Sequence, residues 1–219
     1  MASHSCGCVA WFDGVCACRL ARRLARRDRT LRTLIQVVGP VQTRIPRRYS
    51  TNEAVLRAVV GQMVSSKAAA AIHSRLLAHH GSAEEVFRWA ASGPAPKGPG
   101  GGLTRIKRKT LRAWWKYCEE GSVDPASDWK KLTREDLRKT VSGLYGLGPW
   151  TADILGIFLI GRLDIWPIGD TGLRRARAAV FGRLNDRRFF KRISGYESLV
   201  AVYLWELLNR NLEGHFLAP

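Results

Sequence analysis

Residues 144–152 read Leu144-Tyr145-Gly146-Leu147-Gly148-Pro149-Trp150-Thr151-Ala152. A helical pattern runs up to them from about Arg134, and an apolar helical pattern follows Pro149, so the segment joins two helices. Gly146 suits the position just past the first helix, Pro149 the first turn of the second, and Gly148 a backbone conformation that other residues avoid. The result is a tight helix-hairpin-helix. N–H groups of the turn and of the following helix start then point outward without intrahelical acceptors, which makes an anion site suited to a phosphate. An αα-turn capped by glycine and proline for packing alone fits the same nine residues, and on these residues both readings stand.

The rest of the chain extends the helical pattern in both directions. Apolar residues from Leu20 to Val38 recur at helical spacing until Gly39-Pro40, with Arg22, Arg23, Arg26, Arg27 and Arg29 on the other face. Further helical patterns begin near Thr51 and at Ser65 or Ser66 as N-cap, then span 84–91, 103–117 and 134–144, follow Pro149 and Asp170, and end with 194–212. Residues 92–102 are dominated by glycine and proline and read as a flexible loop. No stretch alternates like a strand, so the expected fold is all-α, with residues 1–18 a Cys-containing tail and 19–219 the helical domain.

Thirty-six Lys and Arg against 18 Asp and Glu leave a formal net charge of +18 over 219 residues. Such a chain attracts polyanions. Residues 1–50 hold ten Arg and two Asp, and Lys97, Arg105, Lys107, Arg108, Lys109, Arg112 and Lys116 form a second run without an acid. No apolar run is long enough to span a bilayer, so no membrane partner is expected. Cys6, Cys8, Cys16 and Cys18 stand as two Cys-x-Cys pairs without the Cys-x2-Cys step of common zinc sites, and Cys118 stands alone. They read as reduced thiols of an intracellular protein, and no metal site is expected.

Beyond the hairpin, Asp164-Ile165-Trp166-Pro167-Ile168-Gly169-Asp170-Thr171-Gly172-Leu173 carries an aspartate 19 positions after Thr151. With Gly61-Gln62-Met63-Val64-Ser65-Ser66-Lys67-Ala68-Ala69, Gly102-Leu103-Thr104-x-x-Lys107 and Tyr203-Leu204-Trp205, these segments resemble, in order, the helix-hairpin-helix DNA glycosylases. The resemblance covers roughly residues 30–210 and is nearest the DNA-3-methyladenine glycosylase II type. It implies two helical lobes with the active-site cleft between them, acting on double-stranded DNA that contains damaged bases, as a monomer. Base flipping into the cleft would precede the chemistry.

The same resemblance assigns roles. At the position where lyase-type members carry an attacking lysine, this chain has Trp150, and no lysine lies between Lys139 and Lys191. Monofunctional hydrolysis of the N-glycosidic bond remains, with Asp170 as the carboxylate that stabilises an oxocarbenium-like sugar. A helix N-terminus favours its negative form. The plain alternative is an N-cap, with Asp164 and Asp153 weaker catalytic candidates. Trp150 and Trp205 are assigned to the wall of the base pocket, where an electron-poor alkylated purine stacks on indole, against a core role for both; Trp166, two residues ahead of Ile168-Gly169, is placed in the same cavity by its sequence position. Gly146, Gly148, Thr151, Gln62, Met63, Ser65 and Lys107 are assigned to the DNA surface. Met63 would wedge into the duplex, or else is buried, and Gln62 would probe the orphaned base. No cofactor is required for catalysis, although a structural monovalent cation at the hairpin carbonyls fits the type. The implied activity is excision of alkylated purines, leaving an abasic site. The alternatives are oxidised, deaminated or mismatched bases, or a non-catalytic duplex-binding module.

Overall fold

A computed structural model describes residues 9–43, 45, 50–92, 102–121 and 125–216. Cys6, Cys8, Lys97 and all but the ends of the glycine- and proline-rich loop lie outside them. In chain order the elements are β1 (Trp11–Phe12), β2 (Val15–Cys16), α1 (Ala17–Ala25), α2 (Arg29–Val38), α3 (Thr51–Gly61), α4 (Ser66–His80), α5 (Ala83–Ala91), α6 (Arg105–Glu120), α7 (Pro125–Trp129), α8 (Arg134–Ser142), α9 (Pro149–Leu155), α10 (Thr171–Phe181), α11 (Asp186–Ile193) and α12 (Glu197–Asn209). A π-helical turn, Gly156–Ile160, continues α9. The fold is almost wholly helical, as expected. The chain forms two compact units, one of residues 1–47 and 156–219, the other of residues 48–155.

The first unit is built around α12, which packs against α1, α2, α10 and α11. Its apolar residues run nearly all round the helix, with Leu199, Val200, Ala201, Leu204 and Leu207 fully buried. Glu206, buried on the same helix, accepts from the Gln42 and Thr43 N–H groups at 3.1 Å each and pairs with Arg210, which satisfies a carboxylate that burial would otherwise penalise. The expected single helix from Arg19 to Val38 is two: it breaks at Asp28, whose Oδ1 accepts from the Leu31 N–H at 3.1 Å and caps α2. Part of the expected tail is a folded hairpin. Asp13 and Gly14 take φ of 45° and 75°, the pair of positive values that a two-residue turn matching strand twist requires. Trp11 then pairs with Cys16, and Phe12 is fully buried.

In the second unit α3 packs against α4, α5, α6 and α9. The acid-free basic run on α6, expected at a polyanion surface, is partly consumed inside the fold. Lys107 Nζ donates to Val60 O at 2.8 Å, Arg108 to Trp89 O at 3.3 Å and Arg112 to Ala90 O at 3.1 Å. These carbonyls end α3 and α5, and helix C-termini favour cationic donors. Trp114, buried in the same unit, donates Nε1–H to Asn52 Oδ1 at 2.8 Å.

Candidate functional site

The hairpin is assembled from four elements of the second unit. Helix α8, capped by Thr133, ends at Ser142 with Gly143 as its C-cap, earlier than the sequence suggests. A β-turn follows, with the Leu147 N–H donating to Leu144 O at 3.1 Å. Gly146 occupies its third position with φ of 75°, the left-handed value that a type II turn needs there. A Cβ at this glycine would also lie 1.9 Å from Thr110 Oγ1 on α6. Gly146 is thus required twice over, by conformation and by space. Gly148, by contrast, has no positive φ and faces open space, contrary to the conformational role expected for it. Pro149 opens α9 as expected.

Gln62 ties this turn to the end of α3. Its Nε2 donates to Gly146 O at 3.0 Å and to Thr151 Oγ1 at 3.1 Å, with Thr151 buried. The side chain expected to read an orphaned base is therefore a strut between two loops. Gly146 O and Leu144 O, carbonyls available to the expected hairpin cation, already accept these bonds.

Met63 stands next to the strut with φ of 58° and a side chain 101% exposed. The buried alternative is excluded. Val64 beside it is partly exposed, and Ser65 caps α4 by accepting from the Ala68 N–H at 3.2 Å. Lys107, expected at the surface, is buried beneath this loop on Val60 O, and its burial pushes the ammonium below its ordinary range. It supports the loop that presents Met63. Trp150, at the second position of α9, is partly buried, and a Cβ at Gly61 would sit 3.8 Å from its ring edge.

Asp153 is no catalytic candidate in this setting. It is 1% exposed and accepts a two-pronged bond from Arg138 at 2.7 and 2.7 Å, which raises the guanidinium above its usual range. Arg138→Ala takes this two-pronged cationic partner from a buried carboxylate, and is expected to cost about 3–5 kcal/mol in urea unfolding. An Arg138→Met/Asp153→Leu pair should recover most of the loss. Asp164 is likewise paired, with Arg162 at 2.9 and 2.8 Å.

Asp170 lies in the first unit, half-buried at the N-terminus of α10, with Oδ1 accepting from the Leu173 N–H at 2.8 Å. Gly169 before it takes φ of 91°, and Ile168 is 67% exposed, so the preceding loop is open to solvent. A Cβ at Gly172 would lie 3.2 Å from Asp170 Oδ1 and 3.4 Å from Leu208 Cδ1 on α12. Leu208 is three residues beyond Trp205, so the two side chains are neighbours along one face of α12. Trp205 is partly buried and packs on Phe158, ring centroids 5.6 Å apart. Trp166 differs from expectation. It is 8% exposed and makes edge contacts with Phe189 and Phe190 of α11, so it belongs to the core rather than to an open pocket. Among the described residues no three His, Cys, Asp or Glu side chains gather as metal ligands.

No family model matches the chain. Whole-chain comparison finds the alkylbase DNA glycosidase-like protein mag2 of Schizosaccharomyces pombe, 22% identical over 211 residues, spanning 90% of this chain and 96% of that protein. Among solved structures, the S. pombe 3-methyladenine DNA glycosylase Mag1 in complex with abasic DNA superposes with a TM-score of 0.76 at 21% identity, covering 87% of this chain and 97% of the other. The Bacillus halodurans DNA-3-methyladenine glycosidase gives 0.64 at 25% identity over 87% and 89%. In sequence over most of its length and in fold, the chain is related to helix-hairpin-helix DNA glycosylases of the 3-methyladenine type.

Two parts of the candidate site are not legible in the sequence. Phe158, the partner of Trp205, lies in a π-helical turn that no periodicity announces. Thr110, which abuts Gly146, comes from a helix 36 residues earlier, and only the fold reveals why that glycine admits no side chain.

Proposed function

We propose that the protein is a monofunctional DNA N-glycosylase that excises cationic alkylated purines, of the 3-methyladenine and 7-methylguanine kind, from double-stranded DNA. The observation that carries the reading is Asp170: a half-buried carboxylate on a helix N-terminus, beside an open loop and close to Leu208, the neighbour of Trp205 on α12. As the C1′–N bond breaks, its electron pair passes to the base and neutralises the charge already on the purine ring. The sugar left behind is cationic. Asp170 stabilises it while a water oxygen bonds to C1′ and releases its proton to solvent, leaving an abasic site. A leaving group that is already positive needs no strong general acid, in keeping with a single carboxylate. Trp205 and Phe158 supply the stacking surface for the flipped base.

The hairpin turn, with the start of α9, holds a DNA phosphate through backbone N–H groups, and Met63 fills the space that the flipped base vacates. Gln62 and Lys107 position these parts. A panel of duplexes carrying alkylated, oxidised, deaminated or mismatched bases tests the reading. Release of methylated purine with strand breakage only after heat or alkali is the expected result. Cleavage confined to oxidised or deaminated bases, or strand incision without alkali, would overturn it, and duplex binding without base release would leave only a binding module.

A further inference from the structure

The corner between α1 and α2 and the exposed face of α11 frame an open, cationic cavity of about 360 Å³, all of it within the first unit. Its lining residues are Arg27, Asp28, Arg188, Lys191 and Arg192. Two of the arginines are fixed in place. Arg27 donates to Ser194 O at 2.9 Å, at the end of α11, and its guanidinium lies 4.4 Å over the Tyr196 ring. Arg192 pairs with Asp28 Oδ2 at 3.1 Å, while Asp28 Oδ1 caps α2. The carboxylate of the cavity is thereby used up by the fold.

Arg188 and Lys191 differ from these. Both are exposed, and among the described residues neither side chain has a hydrogen-bond or ion-pair partner. Arg188, Lys191 and Arg192 stand at i, i+3 and i+4 on α11, opposite the buried Phe189 and Ile193, and like charges so spaced repel by about 0.2–0.5 kcal/mol per pair. The helix C-terminus favours Lys191 and Arg192, both in its last turn. Arg188 is in the first turn, where the helix dipole disfavours a cation. Neither packing nor the helix accounts for it, and an anion held between these side chains removes both penalties.

The lining narrows the chemistry of that anion. Guanidinium forks match the paired oxygens of a phosphate, and lysine adds a point charge. None of the lining residues is aromatic or aliphatic, and Arg27 covers the Tyr196 face, so a nucleobase or an acyl chain finds no surface to pack on. Such a lining suits a sugar-phosphate backbone. For a chain of net charge +18 related to DNA glycosylases, duplex DNA is the polyanion that presents one.

We propose that this cavity holds a backbone phosphate of duplex DNA, in addition to the one at the hairpin, with Arg188 and Lys191 as its binding residues. The inference rests on duplex binding and not on the base-excision chemistry. Anisotropy titrations of an undamaged duplex over a range of salt concentrations test it. Loss of one phosphate contact should make the log–log salt slope shallower by about 0.9 and lower affinity roughly five- to tenfold at about 0.1 M salt. Arg188→Gln/Lys191→Gln should show both, with thermal unfolding close to wild type because both side chains are exposed. Arg188→Lys/Lys191→Arg keeps the charge and should keep most of the affinity and the slope. Lys130→Gln/Lys131→Gln removes the same charge from exposed positions of the second unit and should leave the slope unchanged. A wild-type slope in Arg188→Gln/Lys191→Gln overturns the proposal while leaving the glycosylase reading intact, even if inorganic phosphate binds the cavity. An equal loss in Lys130→Gln/Lys131→Gln also overturns it, tracing the effect to net charge. Wild-type protein whose duplex affinity ignores salt removes the duplex-binding premise and the proposal together.

Discussion

Asp170→Asn is expected to abolish measurable base excision while the protein remains folded. Asparagine keeps an oxygen where Asp170 Oδ1 accepts the Leu173 N–H, and Asn caps helices as well as Asp does, so unfolding free energy should move by no more than about 1 kcal/mol. The lost charge accounts for part of that, since a negative group at a helix N-terminus contributes roughly 0.3–1 kcal/mol. The transition state, by contrast, loses the only anion proposed to face the developing sugar cation. Removing one preorganised electrostatic group of this kind costs about 100- to 1,000-fold, and a single-turnover rate on a 7-methylguanine duplex should fall at least that far. Duplex affinity, which the proposal assigns to the hairpin and the Met63 loop, should hold. Asp170→Ala separates the two roles, adding the loss of a cap, about 1 kcal/mol, to the same loss of rate. Full activity in Asp170→Asn would reduce Asp170 to an N-cap.

Local chemistry made much of this protein legible. Ser65, Pro149 and Asp170 each carry their helix-start signal within three or four residues, so the helices following them stand where the sequence places them. The misreadings share a different cause. Lys107, Arg108 and Arg112 read as solvent-facing charge because helical spacing cannot tell a cation aimed at water from one aimed at the carbonyl end of another helix 19 to 47 residues away. Trp166 was assigned to a pocket from its neighbours in sequence, yet α11, whose phenylalanines enclose it, follows 20 residues later and gave no clear periodic signal. The hairpin at Trp11–Cys16 escaped because its strands are two residues each, too short for alternation to register.

Gly146→Ala should be the most damaging single methyl group in the hairpin. Its φ of 75° costs an alanine about 1–2 kcal/mol, and the new Cβ would fall 1.9 Å from Thr110 Oγ1 and 2.9 Å from Thr110 Cβ. Thr110 is 1% exposed on α6 and cannot swing into solvent, so the turn must move instead. Overpacking of this kind adds about 1–3 kcal/mol, for a total near 2–5 kcal/mol by denaturant unfolding. Because Gln62 grips Gly146 O, the displaced turn also releases the strut beside Met63. Duplex affinity should therefore drop roughly tenfold or more even under conditions where the protein is folded, a loss of at least about 1.4 kcal/mol. Gly148→Ala is the control. A Cβ there meets nothing within 4 Å and the backbone is not left-handed, so its stability should stay near wild type. Any loss of affinity in Gly148→Ala then reports the phosphate itself, since an added methyl group obstructs only a ligand that approaches the backbone. Combining Gly146→Ala with Thr110→Ala removes the 1.9 Å clash with Oγ1 but leaves the 2.9 Å approach of the two Cβ atoms and the dihedral strain, so the double variant should recover part of the stability and not all of it. Full recovery would mean that the Thr110 hydroxyl and methyl groups alone exclude a side chain at 146, and no recovery that the backbone approach of α6 and the conformation of the turn do.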